Sequence, residues 1–201
     1  MSIKNTFSIL SASVDFAKRD YKNESESSLR DRFCRDRDRI LFSKEFRRLN
    51  GKTQVFVNGF DDHVRNRLTH TLEVSQVSQI IANNLGLNNL LSEAISLGHD
   101  VGHTPFGHIG ERTLNQYTNN CEDYNNFKID DPNQLGFKHN WQGVKVVSSL
   151  EKISTEYKGL NLTDYTIWGI LNHSNLEYKK GCENRNGLLC KTKNYEKKLS
   201  Y

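Results

Sequence analysis

The sequence contains little that would interrupt helices or cross-link the chain. Only two of its 201 residues are proline, and only four are cysteine. The cysteines, Cys34, Cys121, Cys182 and Cys190, form no CxxC pair. This pattern argues against a zinc knuckle and against a disulfide framework. We therefore expect reduced thiols.

Long apolar runs are also missing. No stretch approaches the roughly 18 apolar residues that a membrane-spanning helix needs, and residues 1–20 lack the basic and then apolar pattern of a signal peptide. The composition, 35% hydrophobic and 26% charged, is that of a soluble globular protein. The sequence predicts a cytoplasmic protein that does not contact a membrane.

Positive charge is concentrated in one stretch. The formal net charge is only +4, but residues 30–52, RDRFCRDRDRILFSKEFRRLNGK, form a dense basic block with interleaved acids. Such a block is typical of a solvated helix with i,i+4 ion pairs. It is also typical of a surface that binds phosphate groups or nucleic acid. The block alone does not distinguish these two interpretations.

Hydrophobic spacing indicates a mostly α-helical protein. Helical patterns cover residues 35–49, 64–85, 88–102, 141–153 and 163–172. Pro105 is expected to end the third helix and to lie in the first turn of the next one. One extended stretch is predicted at 53–57, before the turn residues Asn58 and Gly59. Polar segments at 119–134 and 180–196 are expected to be loops.

Residues 97–111, LGHDVGHTPFGHIGE, combine three histidines, an aspartate and a glutamate. A cation beside this helix can meet both His99 and Asp100, but it needs further ligands from another helix. His70 is a suitable donor if the two helices pack antiparallel, which the short connection at 86–89 favours. Nitrogen and oxygen ligands together suit manganese, magnesium, iron or a similar divalent ion better than structural zinc.

The other residues of this segment suggest what the metal is for. His103 shares the face of His99 if the helix continues to Gly102. His108 and Glu111 are spaced i,i+3, so the carboxylate can hold one imidazole nitrogen protonated. A metal ion, an oriented histidine and nearby cations together meet the needs of phosphate-ester hydrolysis. A single histidine in such a position more often forms a hydrogen bond to a buried carbonyl at a helix junction. The five residues together favour a functional site.

Four separated motifs resemble one known enzyme family. In chain order they are RDRDRILFSKEFRRLNGKTQVF, RNRLTHTLEVSQ, GHDVGHTPFGHIGE and FKHNWQG. They are similar to the HD-domain deoxynucleoside triphosphate triphosphohydrolases, the dGTPase family, over roughly residues 29–173. The resemblance implies an all-α HD-domain helical bundle. It also implies hydrolysis of deoxynucleoside triphosphates (dNTPs) such as dGTP to deoxynucleoside and inorganic triphosphate. The implied cofactor is manganese or magnesium, with iron, cobalt or nickel as alternatives.

The resemblance also implies roles for single residues. His70, His99 and Asp100 match metal ligands of the family. His108 matches its catalytic histidine, and Glu111 matches the acidic partner of that histidine. His108 would either activate the attacking water or protonate the leaving oxygen, and the sequence leaves both roles open.

Further matches concern the substrate. Arg67 matches an arginine that holds the α-phosphate, and His103 and His139 match active-site histidines near the phosphates. Gln54 matches a residue of the deoxyribose and base pocket, with Arg47 and Lys52 on the same side. These matches favour the anion-binding interpretation of the basic block.

One feature departs from the family pattern. The family has a fourth metal ligand, an aspartate on a helix after the segment matched here by residues 169–174, whereas the last aspartate of this chain is Asp164. Family members are usually longer and commonly form oligomers. We therefore expect an N-terminal extension at 1–28, an HD core at 29–178 that is incomplete at its C-terminal end, a polar segment at 179–201, and a homo-oligomer.

Two alternative functions stay open at this stage. The chain could be a truncated, inactive subunit that binds nucleotide or single-stranded nucleic acid, which the basic block and the missing aspartate would suit. It could also be an HD phosphohydrolase that acts on another nucleotide. Release of inorganic triphosphate would identify the dNTP hydrolase. Salt-sensitive oligonucleotide binding without turnover would identify the binding subunit.

Overall fold

The computed structural model describes residues 10–22, 29–53, 66–119, 136–173, 182–183 and 189–190. Within these ranges lie seven α-helices: α1 (Arg32–Leu41), α2 (Lys44–Arg48), α3 (Arg67–Asn84), α4 (Asn89–Gly98), α5 (Gly107–Thr118), α6 (His139–Lys145) and α7 (Asp164–Asn172). The prediction of an all-α architecture is confirmed. Among the described helices, none is both long and apolar enough to cross a bilayer.

Shorter elements accompany the helices. Short 3-10 helices span Val14–Phe16 and Leu49–Gly51, and a π-helical turn at Val146–Leu150 continues α6. Two-residue strands, β1 (Cys182–Glu183) and β2 (Leu189–Cys190), pair antiparallel within a segment that was predicted to be a loop. This pair is too short to change the helical class of the fold.

The first predicted helix, at 35–49, is divided in two. The hydroxyl of Ser43 accepts a hydrogen bond from the Phe46 backbone N–H at 3.1 Å, which is the bond that an N-cap residue makes. An N-cap requires extended backbone, and Ser43 has φ −67° and ψ 155°. The helix is therefore interrupted at this serine, and α2 begins immediately after it.

A tight turn at Gly86 connects α3 to α4. The N–H of Leu87 donates to the Ala82 carbonyl at 2.8 Å, and the N–H of Gly86 donates to the Asn83 carbonyl at 3.3 Å. This is the Schellman arrangement at a helix end. Gly86 has φ 66°, a left-handed conformation that favours glycine. The helical pattern that was predicted to end at residue 85 ends at Asn84, with Leu85 as the C-cap, and α4 packs along α3.

The large apolar side chains that give residues 64–85 their helical pattern, the apolar row of α3, are mostly not buried against the bundle. Thr71, Ser75 and Ala82 are buried instead, because small side chains let α4 approach closely. Large side chains that are about half exposed or more are Leu72, Val77, Ile80, Ile81 and Leu85. An open groove of about 550 Å³ lies between α3 and α4 and reaches His99 and His173.

The hydrophobic core holds the end of α4 from several sides. It consists of Ile40, Phe46, Leu49, Ala94, Leu97, Val101, Val146, Val147, Leu160, Leu162 and Ile170. Leu97 and Val101 flank the sequence pair His99 and Asp100. The core therefore anchors the backbone on both sides of this pair.

A buried aspartate connects the N-terminal residues to α1 and α7. Asp36 Oδ1 lies 2.8 Å from Arg19 Nη2. Its Oδ2 accepts hydrogen bonds from the Thr163 backbone N–H at 2.9 Å and from the Thr166 hydroxyl at 2.7 Å. Burial raises the pKa of Asp36, and Arg19 and the two threonines oppose that rise. The described residues 10–22 thus pack onto the helical core, and the domain boundaries at 28 and 178 stay predictions.

We expect Asp36→Ala to lower the free energy of unfolding by about 3–5 kcal/mol, because it leaves Arg19 buried without a counter-charge. Asp38→Ala is the matched control. Asp38 pairs with Arg30 and Arg37 at partly exposed positions, where an ion pair contributes at most about 1 kcal/mol. Urea denaturation followed by circular dichroism measures both variants. Equal losses in the two variants would contradict the importance of the buried network.

Candidate active site

His99 and Asp100 lie where α4 ends. The helix was predicted to continue to about Gly102, but it ends at Gly98 with His99 in the C-cap position. A tight turn follows, in which the His103 N–H donates to the Asp100 carbonyl at 3.0 Å. The condition under which His103 would share the helix face of His99, a helix that continues to Gly102, is therefore not met, and the turn sets the position of His103.

Gly102 allows this turn to pack directly against α6. A Cβ atom at residue 102 would lie 2.1 Å from the Gly143 backbone nitrogen and 2.2 Å from the His139 carbonyl oxygen. Only a residue without a side chain permits such an approach. As a result the imidazole rings of His103 and His139 stack, with centroids 4.5 Å apart and planes inclined by 22°.

We expect Gly102→Ala to destabilise the protein by about 3 kcal/mol, because the backbone of α6 must move to admit the methyl group. Thermal unfolding measured by circular dichroism tests this. Gly51→Ala is the control, since a Cβ there meets no heavy atom within 4 Å and should change stability by less than about 0.5 kcal/mol. A Gly102→Ala protein that unfolds at the wild-type temperature would disprove the close packing.

His70, His99 and Asp100 bring three candidate ligand atoms close together. One nitrogen or carboxylate oxygen from each lies within 4.8 Å of the other two. The Nδ1 atom of His99 lies 2.7 Å from the Ser96 carbonyl oxygen, so Nδ1 carries the hydrogen and Nε2 keeps its lone pair. This Nε2 lies 3.5 Å from Asp100 Oδ1. In metal sites, a hydrogen bond from one ring nitrogen to a carbonyl commonly fixes the tautomer that leaves the other nitrogen free to bind the metal.

A buried arginine holds the other oxygen of Asp100. Arg67 Nη1 donates to Oδ2 at 2.6 Å, and both side chains are almost fully buried. Burial alone would raise the pKa of Asp100, but His99 and Arg67 outweigh it and lower that pKa. Arg67 Nε is buried without a hydrogen-bond partner among the described residues. The guanidinium therefore keeps a donor for a further ligand.

Glu111 connects two histidines. Its Oε2 lies 3.3 Å from His108 Nδ1, as the i,i+3 spacing predicted. Its Oε1 accepts from the His139 backbone N–H at 3.2 Å and from His139 Nδ1 at 3.1 Å. Burial raises the pKa of Glu111, but the hydrogen bonds from His139 and the nearby Lys138 ammonium together hold it well below its usual range. Glu111 is therefore an ionised acceptor.

The environments of His103 and His108 differ. The His108 side chain is 70% exposed, so the ring edge opposite Glu111 is open to a ligand. His103 is buried, and its Nδ1 has no hydrogen-bond partner among the described residues. Burial, together with the charge of Arg67, lowers the pKa of His103 to about 3, so this imidazole is neutral near pH 7.

Two of the three predicted sugar and base residues, Lys52 and Arg47, are described by the structure. Lys52 Nζ donates to the Val101 carbonyl at 3.3 Å, and burial lowers the pKa of Lys52. Arg47 lies exposed on α2. Gln54 and the rest of the predicted strand and turn after residue 53 lie outside the described residues. Pro105 precedes α5 and does not lie in its first turn, and its carbonyl accepts a hydrogen bond from the Thr53 N–H.

One histidine beside the cluster was not among the predicted site residues. His173 follows α7, and its Nε2 lies 3.2 Å from His139 Nε2. Its ring centroid is 5.2 Å from that of His99. In the sequence, this histidine belongs to the segment GILNHS at 169–174. The segment lies at the end of the region that resembles the family, but no role was assigned to it.

A comparison with protein families identifies the fold that carries this cluster. The family model described as "HD domain" matches residues 67–198, more than half of the chain. The matched region begins at Arg67 and includes the other site residues described above: His70, His99, Asp100, His103, His108, Glu111, His139 and His173. The chain belongs to the HD-domain family.

Curated relatives of this HD domain are described as deoxyguanosinetriphosphate triphosphohydrolase-like proteins. One from Rickettsia bellii (strain RML369-C) is 50% identical over 151 residues, which cover 75% of this chain and 36% of the relative. One from Caldanaerobacter subterraneus subsp. tengcongensis is 50% identical over 153 residues, 76% of this chain and 40% of the relative. One from Clostridium tetani is 43% identical over 178 residues, 89% of this chain and 46% of the relative. The chain thus spans less than half the length of these relatives.

Three residues of this HD domain have the ligand chemistry that a divalent cation requires. His70, His99 and Asp100 offer two imidazole nitrogens and a carboxylate oxygen, a ligand set that suits first-row divalent metals. The hydrogen bond from His99 to Ser96 frees Nε2 for coordination, and Asp100 is ionised beside Arg67. Three protein ligands also leave coordination positions open for water or for a phosphate oxygen.

Proposed function

We propose that this HD domain hydrolyses deoxynucleoside triphosphates such as dGTP to the deoxynucleoside and inorganic triphosphate. The observation that carries the proposal is the convergence of His70, His99 and Asp100 next to Arg67. The names of the relatives supply the substrate class. Manganese or magnesium is the proposed metal, with iron, cobalt or nickel as alternatives.

Arg67 and His103 are the proposed phosphate contacts. Asp100 fixes the Arg67 guanidinium, whose Nε donor is unpartnered among the described residues and can hold an α-phosphate oxygen. Neutral His103 can offer a hydrogen bond without adding charge. When bound at the three ligands, a divalent ion would lower the pKa of a water and withdraw charge from the phosphate oxygens.

His108 is the proposed proton carrier. Because a carboxylate only accepts hydrogen bonds, the contact with Glu111 places the hydrogen of neutral His108 on Nδ1. Its exposed Nε2 is then free to take a proton from the water that attacks the α-phosphorus. The 5′ oxygen leaves on the opposite side of the phosphorus, in line with the attacking water, so it takes its proton from solvent. His108 would thus act as the general base.

The test is incubation of the chain with dGTP and manganese, with products separated by anion exchange. Deoxyguanosine and inorganic triphosphate in equal amounts, absent with a chelator, are the expected result. Release of phosphate or pyrophosphate instead would show a phosphohydrolase of another specificity. Oligonucleotide binding that weakens with salt, without turnover of any dNTP, would favour the binding-subunit alternative.

The homo-oligomer expected from the resemblance is also a proposal. The exposed apolar row on α3 supports it, because contiguous apolar surface of this kind is typical of protein–protein contacts. Light scattering across a range of protein concentrations tests it. A monomer at every concentration would contradict self-association.

A further inference from the structure

Lys138 lies beside the Glu111 carboxylate and was not among the predicted site residues. It directly precedes α6, with extended backbone (φ −140°, ψ 134°). Its side chain is 46% exposed, and its Nζ lies 4.0 Å from Glu111 Oε1. A charge-assisted hydrogen bond between an ammonium and a carboxylate is about 2.7–2.9 Å long, so these two groups attract each other without such a bond. Lys138 therefore places a half-exposed positive charge at the edge of the site.

Glu111 already has closer partners than this ammonium. Its Oε1 accepts from the His139 backbone N–H and from His139 Nδ1, and its Oε2 lies 3.3 Å from His108 Nδ1. The Lys138 ammonium has three N–H donors, and no described residue accepts a hydrogen bond from them. These donors are therefore available to a ligand that enters the site.

The geometry of the proposed reaction decides which part of the substrate this charge meets. The attacking water and the leaving 5′ oxygen lie on opposite sides of the α-phosphorus. Lys138 and His108 lie on the same side, that of the water, because both are next to the Glu111 carboxylate. The deoxynucleoside leaves on the other side, whereas the β- and γ-phosphates extend sideways from the α-phosphorus. The ammonium is therefore placed to meet the phosphate chain and not the sugar or base.

The phosphate chain also needs more positive charge than the other site residues supply. A triphosphate carries about four negative charges near pH 7, because the second pKa of a terminal phosphate is near 6. Arg67 is paired with Asp100 at 2.6 Å, and Glu111 adds a further negative charge. A divalent ion and Lys52 then offset only part of the substrate charge. A lysine at the edge of the site supplies a further point charge for phosphate.

We propose that Lys138 binds the β- or γ-phosphate of the substrate and, after hydrolysis, the inorganic triphosphate. The inference rests on the proposed function for the identity of the substrate. A structural role in α6 fits less well, because the Lys138 side chain makes no cap hydrogen bond to that helix. An indirect role through the charge of Glu111 is the alternative, and it predicts a different kinetic change.

The binding test uses inorganic triphosphate and three variants. Lys138→Ala removes the ammonium, Lys138→Arg keeps a positive charge, and Lys145→Ala removes an exposed lysine at the other end of α6 as the matched control. Calorimetric titration of the manganese-loaded chain with triphosphate measures Kd. We expect Lys138→Ala to raise Kd about tenfold, the effect of losing one hydrogen bond to a charged group. Lys138→Arg should keep most of the affinity, and Lys145→Ala should match the wild type.

Unchanged triphosphate affinity in Lys138→Ala, or no triphosphate binding by the wild type, would overturn the inference. Thermal unfolding shows whether each variant is folded. We expect Lys138→Ala to fold as the wild type does, because its backbone is extended and its side chain does not cap α6.

Steady-state kinetics with dGTP separates phosphate binding from an effect on Glu111. We expect Lys138→Ala to raise KM about tenfold with little change in kcat, the pattern of a contact made equally in the ground state and the transition state. A fall in kcat with unchanged KM and unchanged triphosphate affinity would overturn the proposal in favour of the indirect role. If the wild type hydrolyses no dNTP, triphosphate binding alone decides, so failure of the proposed function is distinguishable.

Discussion

His99→Ala should abolish divalent-metal binding and, with it, dNTP hydrolysis. His99 supplies the nitrogen that the Ser96 carbonyl leaves free, and without it only His70 and Asp100 remain of the described three-ligand set. We expect manganese affinity to fall by more than about 100-fold, because removal of a residue that only hydrogen-bonds to a metal ligand already lowers affinity by up to about 100-fold. Catalytic efficiency should fall at least about 1000-fold, since the ion supplies several kcal/mol of transition-state stabilisation.

Titration calorimetry with manganese and product analysis measure the two losses separately. His108→Ala is the matched control, because its side chain is exposed and lies outside the three-ligand set. That variant should lose turnover but keep the manganese affinity of the wild type. If His99→Ala retained full metal occupancy and activity, the metal-site assignment would be wrong.

Glu111→Gln should lower kcat by about 10²–10⁴-fold, the range expected when proton transfer is lost. The amide is nearly the same shape, and its oxygen can still accept from the His139 N–H. Its NH₂ group would then face His108 Nδ1, which would have to accept the hydrogen bond. The hydrogen of neutral His108 would move to Nε2, and the proposed base would lose its lone pair. Manganese affinity should not change, because the three proposed ligands remain.

Steady-state kinetics and manganese titration check this second prediction, and thermal unfolding shows that the variant is folded. Glu73→Gln, the same change at an exposed position of α3, is the control and should behave as the wild type. Wild-type turnover in Glu111→Gln would eliminate the proposed pairing with His108. Loss of manganese affinity would instead indicate that Glu111, with His103 and His108, takes part in metal binding.

The local features of this protein follow from its sequence. Helical periodicity predicted the principal helices and the end of α3 before Gly86, where glycine adopts the left-handed conformation that the turn requires. The i,i+3 spacing predicted the contact of His108 with Glu111, since such residues lie on the same face of a helix. These relations involve residues a few positions apart, so no knowledge of the rest of the chain is needed.

The remaining features depended on tertiary packing. α4 stops at Gly98 and His103 turns toward His139, because Gly102 packs against α6, about forty residues later in the chain. Residue spacing predicted one histidine partner for Glu111. Packing of α6 adds His139 as a second partner, and packing of α7 places His173 next to His139. The apolar row of α3 is exposed because α4 packs on its small side chains. Residue spacing thus determined which groups the site contains, whereas contacts between distant helices determined which of those groups touch.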